Sequence, residues 1–160
     1  MAERFIVDSM LGKLAKWLRI LGYDTLYWRG NDWQRLMEKG KGRIFLTRTT
    51  KFSRGGSFQG VIQIRDDNPN LQLKGVIREL ALKIDEKRIF SRCLICNRQL
   101  KKMSKKELEG RIPNFVLSTY SEFSSCPECS RIYWKGTHQE NIRRKIEELS
   151  SLGIGGRKRG

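Results

Sequence analysis

Apolar positions in the first half of the chain follow two rhythms, short continuous runs and helical three-to-four spacing. Phe5-Ile6-Val7 is a short apolar run that ends at Asp8. Leu11, Leu14, Ala15, Leu18 and Leu21 then recur at helical spacing, with Lys13, Lys16 and Arg19 on the other side. Asp8 or Ser9 can cap that helix, and Gly22 can stop it. Residues 25–28 read as a second strand. Asn31 or Asp32 caps a short helix running to about Lys39, closed by Gly40. Residues 43–47 and 60–65 read as two more strands. A helix over about 70–85 carries Val76, Ile77, Leu80, Ala81 and Ile84 on one face. Strands alternating with helices predict an α/β fold with a parallel sheet.

The pattern changes near Ile89. Two Cys-x-x-Cys pairs bracket a polar, basic stretch over 97–111. Residues 115–117 and 132–134 read as short strands. A last helix over about 139–149 places Ile142, Ile146 and Leu149 at spacings of four and three. The expected organisation is an α/β domain over 1–88, a small cysteine-bearing domain over 89–138, a C-terminal helix over 139–150 and a basic tail over 151–160.

Composition adds a partner to this picture. The 160 residues hold 33 Lys and Arg against 17 Asp and Glu, for a net charge of +16. The excess lies in both halves, eighteen basic against ten acidic side chains up to residue 90 and fifteen against seven after it. A balance like this suits a polyanion, above all nucleic acid. With 38% hydrophobic residues the chain can build a modest core. It contains no apolar run long enough to span a bilayer. The first residues lead straight into a strand rather than a signal peptide, so a cytoplasmic address is expected.

Cys93-x-x-Cys96 and Cys126-x-x-Cys129 carry the clearest chemistry. A two-residue gap lets two sulfurs reach one ion from one tight turn, and two such knuckles complete a tetrahedron of soft thiolates. Zinc fits that donor set, and four protein ligands leave no open position, so the expected metal is structural. An iron–sulfur cluster is the other soft-metal option. The 29 residues between the knuckles exceed the commonest ribbon spacing. His138, the one histidine, is read as a packing or RNA-contact residue because four cysteines already satisfy the metal.

The stretch from Arg4 to Arg19, reading RFIVDSMLGKLAKWLR, resembles the opening of the Mut-seven C-terminal domain family, a PIN-like ribonuclease fold. Leu21 to Thr25 and Arg43 to Arg48 continue the match. Cys93-x-x-Cys96-Asn97 and the run from Tyr133 to His138 resemble the zinc ribbon that follows in that family. The resemblance covers roughly 3–145. It implies a PIN-like parallel sheet sandwiched by helices, a small four-cysteine zinc ribbon and an RNA-directed role. It also implies metal-dependent phosphodiester cleavage, with Mg or Mn held by carboxylates at the C-terminal ends of parallel strands. Asp8, Asp24 and Asp32 match acidic positions of the family pattern. Asp8 keeps a second reading, a helix N-cap.

The departure is at Thr49. The family usually carries an aspartate there, whereas this chain reads Leu46-Thr47-Arg48-Thr49-Thr50. A neutral hydroxyl is a weak ligand for a divalent ion. Between Lys41 and Arg54 stand five basic side chains and no acid. Asp66 and Asp67 can compensate or can simply form the turn before Pro69.

Candidate phosphate contacts are Lys13, Lys16, Arg19, Arg43, Arg48, Lys51, Arg54, Lys101, Lys102, Lys105, Lys106, Arg143, Arg144, Arg157, Lys158 and Arg159. The same charges also serve a solvated surface. Trp17 and Trp33 read as packing on helices. Trp28, Tyr133 and Trp134 divide between core packing and base stacking. The expected function is a zinc-containing RNA-binding protein on a catalytically impaired nuclease scaffold. Its expected partner is rRNA within a ribosomal subunit, with neighbouring ribosomal proteins. A metal-dependent endoribonuclease is the alternative.

Overall fold

A computed structural model of the chain describes residues 2–50 and 57–153. The contact pattern divides the chain into two compact units, residues 1–97 and 98–160. Among the described residues no helix is long and apolar enough to cross a membrane.

The first unit is built on four parallel strands: β1 (Phe5–Asp8), β2 (Thr25–Trp28), β3 (Ile44–Thr47) and β4 (Gly60–Gln63). Their spatial order is β2-β1-β3-β4. In register, Phe5 stands beside Thr25 on one side and Ile44 on the other. Alternation sorts the side chains between two faces. Ile6 and Phe45 face one side and pack with Leu36 of helix α2 (Trp33–Lys39). Leu26, Trp28, Phe58 and Val61 close that cluster, with Phe58 stacked on Phe45. The buried Phe5, Val7 and Leu46 take the alternate positions of β1 and β3. Helices α1 (Gly12–Ile20) and α3 (Pro69–Leu80) pack on each other and bury Leu14, Leu18, Leu73, Val76 and Ile77.

Local signals set most boundaries. Asp8 caps a single 3-10 turn, Ser9–Leu11, through Met10 N, and α1 continues from it. Asp32 caps α2 by accepting from Arg35 N. Asn68 caps α3 and Pro69 takes its first turn, where a missing N–H costs nothing. Gly22 follows α1 with φ near +90°, and a Cβ there would lie 2.4 Å from the carbonyl oxygen of Arg88. That turn therefore requires glycine.

The helix expected over 70–85 ends at Leu80. Ala81 adopts a left-handed conformation, and Leu82 N then bonds back to the carbonyl of Ile77. Leu82 is only 1% exposed. Burying it by this turn stops the helix before the periodicity does.

The second unit holds an antiparallel sheet ordered β5 (Lys101–Met103), β6 (Phe123–Ser125) and β7 (Ile132–Trp134). Helix α4 (Lys105–Leu108) opens with a reciprocal capping box between Ser104 and Glu107. The strand expected at 115–117 is instead part of helix α5 (Asn114–Thr119). Pro113 precedes it, and Val116, Leu117 and Tyr120 all join a cluster with Leu108 and Phe123. That spacing suits one helical face, and packing overrides the β preference of Phe and Val. Helix α6 (Thr137–Gly153) buries Ile146 and Leu149.

Candidate metal centre and sheet-edge crevice

The four cysteine sulfurs lie within 4.8 Å of one another. Cys93 and Cys96 sit on the turn that ends the first unit. Cys126 and Cys129 sit on the turn between β6 and β7. Both knuckles are built alike. Asn97 N donates to the carbonyl of Cys93, and Ser130 N donates to the carbonyl of Cys126, each at 2.9 Å. Asn97 and Ser130 both take left-handed φ values, 67° and 64°. Within each turn, backbone N–H groups point at sulfur: Cys96 N at Cys93 Sγ, and Glu128 N and Cys129 N at Cys126 Sγ. N–H donors stabilise thiolates, the form that binds metal. Sulfurs gathered this closely can hold a metal such as zinc.

The first knuckle is anchored to the α/β sheet of its own unit. Arg19, on α1, donates from its guanidinium to the carbonyls of Thr25, Leu94 and Ile95. Asn97 accepts from Thr25 N through its side-chain oxygen and donates to Asp24 through its amide. Asp24 in turn pairs bidentately with Arg43 at 2.8 and 3.2 Å. Burial works to raise the Asp24 carboxyl. The hydrogen bonds from Arg43 and Asn97, with the charges of Arg43 and Arg92, outweigh it and hold the group below the usual carboxylate range.

Asp8 lies at the opposite, C-terminal end of the sheet. The chain leaves β1 to one side for β2, then crosses to the other side for β3, so a crevice opens where the order reverses. In open α/β sheets that is the usual place for a ligand. Asp8 sits at its base. One carboxylate oxygen accepts from Met10 N at 2.9 Å. The other accepts from the Thr47 hydroxyl and from Arg48 N. Asp8 is thus a helix cap and the lining of the crevice at once. The Arg48 side chain donates to the carbonyl of Asp66 and to the carboxylate of Asp67, in the turn after β4. A hollow of about 210 Å³ beside Asp8 is bordered by Trp28, Asn31, Trp33, Thr47 and Thr49.

The three acids grouped by sequence are therefore dispersed. Asp24 precedes β2, at the end of the sheet away from Asp8. Asp32 caps α2 in the segment after β2, on the Asp8 side. Thr49 borders the crevice as its sequence position implied.

The basic residues sort in the same way. Arg19 and Arg43 face inward and hold carbonyls and Asp24. Lys13, Lys16, Lys101, Lys102, Lys105, Lys106 and Arg144 are exposed, and Arg143 is half-buried. Lys51, Arg54, Arg157, Lys158 and Arg159 lie outside the described residues, as does the side chain of His138. Trp33 is 49% exposed and borders the Asp8 hollow, a position that helical periodicity did not reveal. Sequence reasoning also missed Asn97 as the link between knuckle and sheet. The signal was present, since asparagine directly after a Cys-x-x-Cys pair is a residue that tolerates left-handed backbone.

An open parallel sheet with a carboxylate at its switch point, followed by a four-thiol centre, defines a nuclease-like, metal-binding α/β protein. The chain matches the Mut7-C RNAse domain over residues 3–146 and belongs to that family. It is 33% identical over 103 residues to the human (Homo sapiens) exonuclease mut-7 homolog. That match covers 60% of this chain and 12% of that protein, so the chain spans about an eighth of the relative's length. No solved structure matches the chain.

Proposed function

We propose that the chain is an RNA-binding member of its family whose nuclease scaffold is catalytically impaired and docks on a large structured RNA assembly such as the ribosome. The observation that carries this reading is the state of Asp8. Three protein donors already occupy its oxygens, and the family's acid at position 49 is a threonine. A divalent ion needs several carboxylates together to offset its charge. Asp24 serves Arg43 at the other end of the sheet, and Asp67 serves Arg48. The net charge of +16 then acts as a phosphate-binding surface. In this reading the four-cysteine centre holds a structural zinc that fixes the knuckles and takes no part in chemistry.

The test is sedimentation of a lysate of the source cells through sucrose gradients at low and moderate salt. Co-migration with a ribosomal subunit at both salts supports the assembly reading. Migration as a free small protein rejects it. The second reading, a metal-dependent endoribonuclease, is favoured by the family and by the placement of Asp8 at the switch point. Mg- or Mn-dependent cleavage of RNA that disappears in Asp8→Asn would establish it and overturn the impaired-scaffold reading.

A further inference from the structure

A second hollow, beside the Asp8 crevice, is not explained by any of the chemistry above. It is a groove of about 480 Å³ between the outer edge of β2 and helix α2. Its apolar lining comes from the half-buried Leu26, Tyr27 and Trp28, above the fully buried Ile6. Its walls are cationic, formed by Arg29, Arg35 and Lys39. All three cations are exposed. The one carboxylate on the rim, Asp32, already caps α2 through Arg35 N. Arg29 is held in place, its guanidinium 4.9 Å from the centre of the Tyr27 ring. Trp28, Gly30 and Asn31 border both this groove and the Asp8 hollow, so the two lie side by side. Gly30 lets the backbone run against the indole, since a Cβ there would sit 2.7 Å from the Trp28 ring.

We propose that this groove is a binding site for single-stranded RNA, seating an unpaired nucleotide with its base against the Trp28 side and its phosphates on Arg29, Arg35 and Lys39. The proposal rests on the RNA-binding reading and deepens it by naming the strand state and the place. Three arguments carry it. The groove is open to solvent and its volume falls within the range of small-ligand sites, room for one nucleotide. An apolar, aromatic floor is reached by a base only when that base is unpaired, because a duplex keeps its bases stacked inside. Cations on the rim with one committed acid complement a phosphate backbone. Asn31, shared with the Asp8 hollow, places the neighbouring nucleotide on the side of the Asp8 crevice.

The experiment measures fluorescence anisotropy of a labelled ten-nucleotide single-stranded RNA, and of its blunt duplex, with the zinc-loaded full chain at low salt. Arg35→Glu with Lys39→Glu is compared with Lys83→Glu with Lys87→Glu, an equal change of charge at exposed residues outside the groove. Circular dichroism and melting show that each variant folds. The expected result is a loss of about tenfold in single-strand affinity for the α2 pair and under about threefold for the control pair. Duplex binding responds equally to both pairs. Trp28→Phe, which keeps the core apolar, weakens single-strand binding by a few-fold. Equal losses from both pairs, or single-strand binding unchanged in the α2 pair, overturn the groove while leaving RNA binding intact. No binding of either RNA by the parent protein rejects the RNA reading as well.

Discussion

Asp24 shows how one residue is assigned by its neighbours rather than by its type. Its carboxylate is three-quarters covered, and Arg43 beside it is only 11% exposed. Removing the negative charge leaves a nearly buried guanidinium with only the carbonyls of Phe5 and Asp24 as acceptors. Asp24→Asn should therefore lower unfolding stability by about 2–3 kcal/mol, measured by urea titration at neutral pH. The pH dependence follows from the depressed pKa of Asp24. Asp24 contributes stability that is present above the ordinary carboxylate range, near pH 4, and is lost as pH falls through its lower folded value. A plot of unfolding midpoint against pH should fall below about pH 4 in the parent and be flatter there in the variant. An identical slope in both proteins would show that Asp24 carries no such linkage.

At the scale of elements, the ends of helices were decided by what had to be buried next. The first turn of α3 is fully signalled by Asn68 and Pro69, but its last is not, because a left-handed alanine has no sequence signature. Alanine carries a steric penalty there that glycine does not. Ala81→Gly should raise stability by about 1 kcal/mol, seen as a higher denaturation midpoint with unchanged slope. A decrease would mean that the turn is not held in the left-handed region. Helix α5 carries the same lesson. Phe115 and Val116 favour strands by type, yet Phe115 is 68% exposed while Val116 is buried. The cluster formed with Leu108 and Phe123 favours a helical face.

At the scale of the whole molecule, the four-cysteine centre and the charge are the two organising features. The first knuckle is tied through Asn97 and Arg19 to β2 and α1. Chelating the metal should therefore be felt within the α/β sheet, and not only in the cysteine turns. The amide of Thr25, which donates to Asn97, is the reporter. Its hydrogen exchange should accelerate by about tenfold or more on zinc removal. Unchanged exchange at Thr25 would mean that the knuckle keeps its shape without metal. The positive charge is spread over both units, but only part of it is available to a partner. Arg19 and Arg43 are engaged in internal contacts, while Arg29, Arg35 and Lys39 line a groove.

What the sequence determined by itself was whatever depends on near neighbours. The strand and helix order of the first unit, the cap at Asp32 and the two Cys-x-x-Cys turns are all local, set by side chains within a few residues of the backbone they serve. The family followed from such local runs as well. The tertiary structure decided everything that depends on which distant residues meet. It separated Asp24 from Asp8 by the length of a strand, although both stand beside strands in the sequence. It brought Thr47 and Arg48 onto Asp8, turned Arg19 toward the first knuckle and gathered the groove cations from a strand edge and a helix. The physical reason is register: parallel pairing sets which ends of strands lie together, and no pattern within one strand records its partner's alignment.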